Sequence, residues 1–410
     1  MRNNDMILAQ DRYYSMNCYE TQLNNNVLVV GTSGAGKTRS IVTPNLLQAD
    51  GSYVISDPKG NLYKKYKGYL ENKGYIVKCV DFVHPEKSAH YNPFHYVHTT
   101  HDIVKMAHML IYQNGSVGYH DPFWDESGAI LLSSLMAYLK YHRRESEQTI
   151  SMVLALLSAG HIDEYSGGQS PLDLIMEKLR QEEGECWAYR QYSKVKVSAT
   201  KTWDSILVSL TSKMHNFDTE ELEIMMSDDN IELASIGQKK TALFIVVSDT
   251  DRSMDNIANL LFTQTMNELC LYADECCEDN VLPVPVRFIM DDFATNCRIN
   301  EFPRMIASIR SRGISTMLMI QAESQLQEGY GEDWRTIIGN CDTYVYLGGN
   351  DVETAEEVSK RCNKPLNSVL NMPVGTNWIF RRGQAPVNGK NFELEPFLKE
   401  KMDSIKDPCR

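Results

Sequence analysis

The segment Gly31-Thr32-Ser33-Gly34-Ala35-Gly36-Lys37-Thr38 carries glycines, a lysine and a threonine at the spacing GxxxxGK[ST]. That spacing suits phosphate chemistry. Glycines let successive backbone N–H groups turn inward around phosphate oxygens. A helix starting there adds the positive end of its dipole. Lys37 supplies a point charge for terminal phosphates, and Thr38 a hydroxyl for Mg²⁺, so the expected ligands are ATP and Mg²⁺. Such a site needs a second carboxylate on the metal side, at the end of a neighbouring strand. Arg287-Phe-Ile-Met-Asp291-Asp292 is an apolar run ending in two acids. Asp291 is expected to hold Mg²⁺ through water, and Asp292 to polarise an attacking water as general base. The run Thr316-Met-Leu-Met-Ile320 leads into Gln321. Its amide either approaches the γ-phosphate and the attacking water, or is an ordinary strand-end glutamine. Arg310 and Arg312 precede that run. An arginine there reaches a neighbouring subunit's phosphate or makes a surface ion pair.

Other chemistry-bearing patterns are weaker. His95, His98 and His101 have a metal-like rhythm, but i, i+3, i+6 in one helix does not bring three imidazoles together for a tetrahedral ion. No Ser-His-Asp or Cys-His nucleophile pattern stands out. Arg190, Lys194, Lys196 and Lys201 form the main basic stretch, a solvated face or a contact for a phosphate backbone. Residues 216–236 are rich in acids and hold no Lys or Arg, as expected of a solvated connector.

The elements that must position the loop are read from hydrophobic periodicity. Val27–Val30, Tyr53–Ile55 and Tyr75–Val80 read as buried strands, with a helix over 61–72. Strands alternating with helices at this spacing predict a parallel α/β sheet. From about residue 98 the spacing turns helical. Helices are expected over 124–141, 149–159, 171–181 and 195–214. Strands return at 241–247, 287–290, 316–320 and 343–347, with helices over 256–275 and 301–311 and an edge strand or hairpin near 378–380. The expected architecture is one α/β domain, 1–98 plus 217–410, interrupted by an all-α domain, 99–216. Pro44 should break or kink the helix that follows the glycine loop.

Composition narrows the class. The chain has 410 residues, 23% charged and 42% hydrophobic, as a soluble globular protein does. A net charge of −13 excludes a globally basic nucleic-acid binder but not a local basic surface. Ten cysteines without CxxC spacing argue for reduced thiols rather than a disulfide framework. No apolar run has the length of a signal peptide or membrane span. A soluble, cytoplasmic chain is expected, one that could still be the soluble piece of an anchored protein.

Taken together, the motifs resemble the cytosolic ATPase region of type IV secretion coupling proteins, the TraG-like ATPases of bacterial conjugation. The matching pieces are Leu28–Thr38 running into Pro44-Asn-Leu-Leu47; Ser56-Asp-Pro-Lys-Gly60; Tyr91-Asn-Pro-Phe94; Asp121-Pro-Phe-Trp124; Ile289-Met-Asp-Asp-Phe-Ala294; Ile309-Arg-Ser-Arg-Gly-Ile314; and Gln321. They span about residues 7–385. The resemblance implies a RecA-like nucleotide-binding domain with an inserted all-helical domain, usually behind N-terminal transmembrane helices. It implies ring hexamers that use ATP to deliver a relaxase-bound single DNA strand, or effector proteins, to secretion-channel components at the inner face of the bacterial membrane. The present chain would be peripheral to that membrane. The resemblance makes Lys37 and Thr38 nucleotide and Mg²⁺ ligands, Asp291 the second metal-side acid, Arg310 the arginine finger and Gln321 the strand-end glutamine. It assigns residues 99–216 to substrate recruitment. The family usually has Asp-Glu where this chain has Asp291-Asp292. The shorter side chain puts the rate of hydrolysis in question and leaves two functions open: a motor, or an ATP-gated substrate receptor without translocase activity.

Overall fold

The computed structural model describes residues 5–112, 122–161, 168–197, 200–293 and 297–406. Asp121 and Ala294, at the ends of two of the matching motifs, lie outside the described residues. The chain forms two compact units. One comprises residues up to Val83, Glu232–Arg252 and Thr265 onward; the other comprises His84–Ile231 and Ser253–Gln264.

The first unit is built on β-strands. They are β1 (Asp5–Ala9), β2 (Arg12–Ser15), β3 (Val27–Val30), β4 (Ser52–Ser56), β5 (Ile76–Asp81), β6 (Thr241–Val246), β7 (Val286–Met290), β8 (Ile314–Ile320), β9 (Thr343–Tyr346), β10 (Thr376–Arg381) and β11 (Val387–Lys390). β1 and β2 form a separate antiparallel hairpin. The other nine make one sheet in the order β11-β10-β9-β3-β8-β7-β4-β6-β5. From β9 to β5 every pairing is parallel; β10 and β11 add an antiparallel edge. All residues of β3, β4, β6, β7 and β8 are buried. Strands covered on both faces must be apolar at successive positions rather than alternately, which is why they stand out as continuous runs. Register aligns their carboxyl ends: Val30 pairs with Ile320 and Tyr346, and Ser56 with Met290.

The second unit is helical. Its main helices are Thr100–Ile111, Pro122–His142, Ile150–Ser158, Pro171–Glu183, Trp187–Lys196, Thr200–Met214 and Glu220–Met225. Capping boxes start two of them, Thr99 with Asp102 and Ser170 with Asp173. Each box satisfies orphan backbone donors of a first turn. Trp203 is 1% exposed and donates its indole N–H to the Gly160 carbonyl at 3.1 Å. The flanks of the unit close on each other. Tyr91 N–H donates to the Met225 carbonyl at 3.0 Å, and Asn230 N–H to the His90 carbonyl at 3.2 Å. These pairings carry residues 84–98 and 217–231 with the helices, so the unit is broader than the expected 99–216. The helix Asp255–Cys276 is divided between the two units after Gln264.

Three local expectations differ from what is found. The stretch 195–214 is two helices, one ending at Lys196 and one starting at Thr200, and the rings of Tyr192 on the first and Trp203 on the second meet edge to face at 5.6 Å. The stretch 301–311 is a short helix, Phe302–Met305, and a 3-10 turn, Ile309–Arg312. Pro44 does not end its helix. Lys37–Val42 is π-helical and Thr43–Leu46 α-helical, so the proline sits in the first turn of the α segment, where its missing N–H is tolerated. Among the described residues, no helix is long and apolar enough to cross a membrane.

Candidate functional site

The glycine loop joins β3 to the π-helical turn that begins at Lys37. Gly34 and Gly36 have φ of +80° and +94°, in the left-handed region that residues with a Cβ adopt at a cost. Gly31 is required for another reason: a Cβ there would lie 2.9 Å from the Leu347 Cβ. The loop is stitched to neighbouring strand ends. Gly31 N–H donates to the Ile320 carbonyl and Thr32 N–H to the Gly348 carbonyl, both at 3.1 Å.

Lys37 is buried. Its Nζ donates to the Gly31 carbonyl at 2.5 Å and the Thr32 carbonyl at 3.4 Å. Burial pushes its ammonium below the usual lysine range, while the Asp292 and Asp291 carboxylates partly restore it. Thr38 Oγ1 donates to Asp291 Oδ2 at 2.6 Å. Burial pushes the Asp291 carboxyl above its ordinary value; the Thr38 hydrogen bond opposes this, Asp292 adds to it and Lys37 opposes it. Ser56 Oγ donates to the Asp291 carbonyl at 3.2 Å. Asp292 N–H donates to Asp291 Oδ1 at 3.2 Å, and Asp292 itself has φ of +53°. That is a strained backbone for a residue with a side chain, and Asp is among the types that tolerate it.

The two acids were expected on a strand neighbouring β3. Instead, β8 lies between β3 and β7. A threonine on the helix after β3 thus reaches across the end of β8 to a carboxylate at the end of β7. Gln321 leaves the same end of β8, between the two, and is exposed; its N–H donates to Gln325 Oε1 at 2.7 Å. Arg310 is not part of this constellation. It precedes β8, at the opposite edge of the sheet, where it is exposed and donates to the Cys18 carbonyl at 3.2 Å. Arg312 is committed to Asp274 through two bonds of 2.8 and 2.7 Å. Asp57, in the Ser56–Gly60 motif, accepts the Tyr63 N–H at 2.9 Å and so caps the helix Asn61–Asn72. His95 lies in a 3-10 turn, Pro93–Tyr96, and His101 in the helix Thr100–Ile111, so the histidines do not share one helix.

These residues fit a nucleotide's phosphates and Mg²⁺. The fit rests on a buried ammonium whose acceptors are two loop carbonyls, on left-handed glycines that leave room beside the backbone, and on a hydroxyl already paired with a carboxylate. Among the described residues no group of three or more His, Cys, Asp or Glu side chains forms a metal cage. Mg²⁺ is typically held by one or two protein groups plus phosphates and water, and Thr38 with Asp291 presents a hydroxyl and a carboxylate of that kind.

Sequence reasoning missed residues that shape the loop from afar. Gly348, Asn391 and Ser56 all touch the loop or Asp291. The first two belong to no motif and carried no signal. Ser56 stood inside a matching motif without an assigned task.

Comparison with known proteins follows the same lines. Residues 3–365 match the family model described as type IV secretory system conjugative DNA transfer. The conjugal transfer protein TraG of Escherichia coli is 24% identical over 369 residues, covering 82% of this chain and 54% of TraG. The chain spans about half the length of the curated relatives it matches. Among solved structures, the plasmid coupling protein TrwB in complex with a non-hydrolysable ATP analogue superposes with a TM-score of 0.68 at 16% identity, covering 95% of this chain and 89% of that one. TrwB in complex with ADP and Mg²⁺ gives 0.64 at 17%, with coverages of 90% and 86%. The fold is therefore a RecA-like α/β fold carrying an inserted all-helical unit.

Proposed function

This chain belongs to the type IV secretory system conjugative DNA transfer family, and from that premise we propose that it is a coupling ATPase. It recruits a relaxase–DNA complex or effector proteins and uses ATP to deliver them to a secretion channel at the inner face of the bacterial membrane. Its ligands are ATP and Mg²⁺. The observation that carries the reading is the Thr38–Asp291 hydrogen bond of 2.6 Å, which sets a metal-side hydroxyl and carboxylate beside buried Lys37.

The roles follow from placement. Backbone N–H groups of the glycine loop cradle the phosphates, and Lys37 neutralises the terminal ones. Thr38 and Asp291 hold Mg²⁺, which when bound neutralises charge developing on the phosphates. Asp292 accepts a proton from the attacking water, and Gln321 orients that water. Arg310 serves the site of an adjacent subunit in a homo-hexamer. The helical unit, with 99–216 at its centre, binds the transported single strand or protein. The chain acts in the cytoplasm, peripheral to the membrane.

A second reading, an ATP-gated receptor without translocase activity, is favoured by one observation. Asp292, a methylene shorter than the family's usual Glu, sits on a strained backbone at φ +53°, which suits slow turnover. Steady-state ATPase measured with and without single-stranded DNA separates the two. The motor predicts DNA-stimulated turnover that Lys37→Ala abolishes. Nucleotide binding lost in Lys37→Ala, with no DNA-stimulated turnover in the wild type, favours the receptor. Unchanged binding and hydrolysis in Lys37→Ala would overturn the site.

A further inference from the structure

One residue far along the chain touches the glycine loop. Asn391 follows β11, and its Nδ2 donates to the Ala35 carbonyl at 3.3 Å. Asn391 is itself held at two other points. Its backbone N–H donates to the Gly375 carbonyl at 2.8 Å. Its Oδ1 accepts from Asn377 Nδ2 at 3.2 Å. Asn377 is fully buried and donates also to the Leu8 carbonyl at 3.2 Å. The carboxamide of Asn391 is thus oriented before any ligand arrives, with its amino group turned to the glycine loop. A Cβ added at Gly36 would lie 3.7 Å from that same nitrogen.

The peptide between Ala35 and Gly36 is trans, as are all the described peptide bonds. In a trans peptide the C=O and the N–H point in opposite directions. Holding the Ala35 carbonyl toward Asn391 therefore aims the Gly36 N–H the other way, toward the phosphate side. The Gly36 carbonyl is held on the other side by the Ser40 N–H and Oγ, both at 2.7 Å, but at φ +94° and without a Cβ, Gly36 itself restricts the Ala35–Gly36 peptide little. We infer that Asn391 is a positioning residue for phosphate binding: it locks the Ala35–Gly36 peptide so that the Gly36 amide is preset to donate to a phosphate oxygen. The inference rests on the reading of residues 31–38 as the nucleotide site.

The test measures the dissociation constant of a fluorescent ADP analogue with Mg²⁺, for the whole chain and for Asn391→Asp, Asn391→Ala and Lys37→Ala. Asn391→Asp keeps the acceptor for Asn377, loses the donor to Ala35 and adds a negative charge beside the loop. Loss of one neutral hydrogen bond predicts affinity weakened about 2- to 12-fold in Asn391→Ala, and more in Asn391→Asp, whose charge also repels phosphate. Hydrogen exchange of the ligand-free protein should quicken at the Gly36 amide in both, which a purely structural role elsewhere would not produce. Should Asn391→Ala fail to fold, Asn391→Asp carries both readouts, repeated at high salt to screen its charge. Affinity and Gly36 exchange unchanged in the Asn391 variants, with binding lost in Lys37→Ala, overturns the inference alone. Binding retained in Lys37→Ala overturns the nucleotide site itself.

Discussion

Arg310 should act only across an interface between two copies of the chain. It precedes β8, whose seven residues run parallel to β3 toward the glycine loop. At about 3.3 Å per residue that strand separates Arg310 from the loop by about 20 Å. An arginine side chain reaches about 7 Å, roughly two residues of extended chain, so its own site is out of range. The side chain is exposed and tied only to the Cys18 carbonyl among the described residues, so Arg310→Ala should fold and bind ADP as the wild type does. Hydrolysis should fall by about 10³ or more if the arginine meets a neighbour's phosphates. The assay is complementation. Arg310→Ala and Lys37→Ala are each inactive, but an equal mixture re-forms about a quarter of its interfaces with an intact lysine facing an intact arginine. The mixture should therefore recover about a quarter of wild-type turnover, and wild-type specific activity should rise with protein concentration. A mixture no more active than its components, with wild-type turnover independent of concentration, would return Arg310 to the surface as a structural residue.

Other expectations concern the acids and the basic stretch. Asp292→Asn should keep the fold, because Asn tolerates a left-handed backbone, and nearly stop hydrolysis, whereas Asp292→Glu should match or exceed the wild type; equal rates for Asn and Asp would remove residue 292 from catalysis. Burial raises the Asp291 carboxyl in the native state, so the native protein holds that proton more tightly than the unfolded chain. Its contribution to stability is present at low pH and lost as pH rises through the native pKa. Asp291→Asn should accordingly flatten this part of the melting-temperature profile of ligand-free protein and weaken Mg²⁺-dependent nucleotide binding; parallel profiles for both proteins would refute the assignment. Lys196 donates to Asp173 at 2.8 Å and lies 4.2 Å from the centre of the Trp203 ring. Lys196→Ala should thus cost about 1–3 kcal/mol of stability in denaturant titrations without changing the salt slope of DNA binding, while Lys201→Glu, at an exposed position, should change that slope if the stretch meets phosphates.

What the sequence by itself determined is local in origin. The spacing of Gly31, Gly34, Gly36, Lys37 and Thr38 declares a phosphate loop because its conformation is set by φ preferences within eight residues. The runs at β3, β4, β6, β7 and β8 are legible because a strand buried on both faces is apolar at most successive positions, with polar exceptions such as Ser56, Arg287 and Thr316 that the structure also buries. The break in the sheet was visible for the same reason, as periodicity changing from strand to helix near residue 98. The π-helical turn at Lys37–Val42, next to Pro44, was not legible because it leaves no pattern in side-chain type. What the tertiary structure alone decided is who meets whom. Strand order put β8, and with it Gln321, between the loop and the acids. Thr38 finds Asp291 across 253 residues of chain, and Ala35 finds Asn391 across 356. Hydrogen-bond partners at such separations are chosen by packing of the whole sheet, and a lone asparagine has the same composition and local neighbours wherever it lands. Chemistry carried by contiguous residues is therefore written in the chain, whereas chemistry assembled at the ends of non-consecutive strands exists only once those strands have been laid side by side.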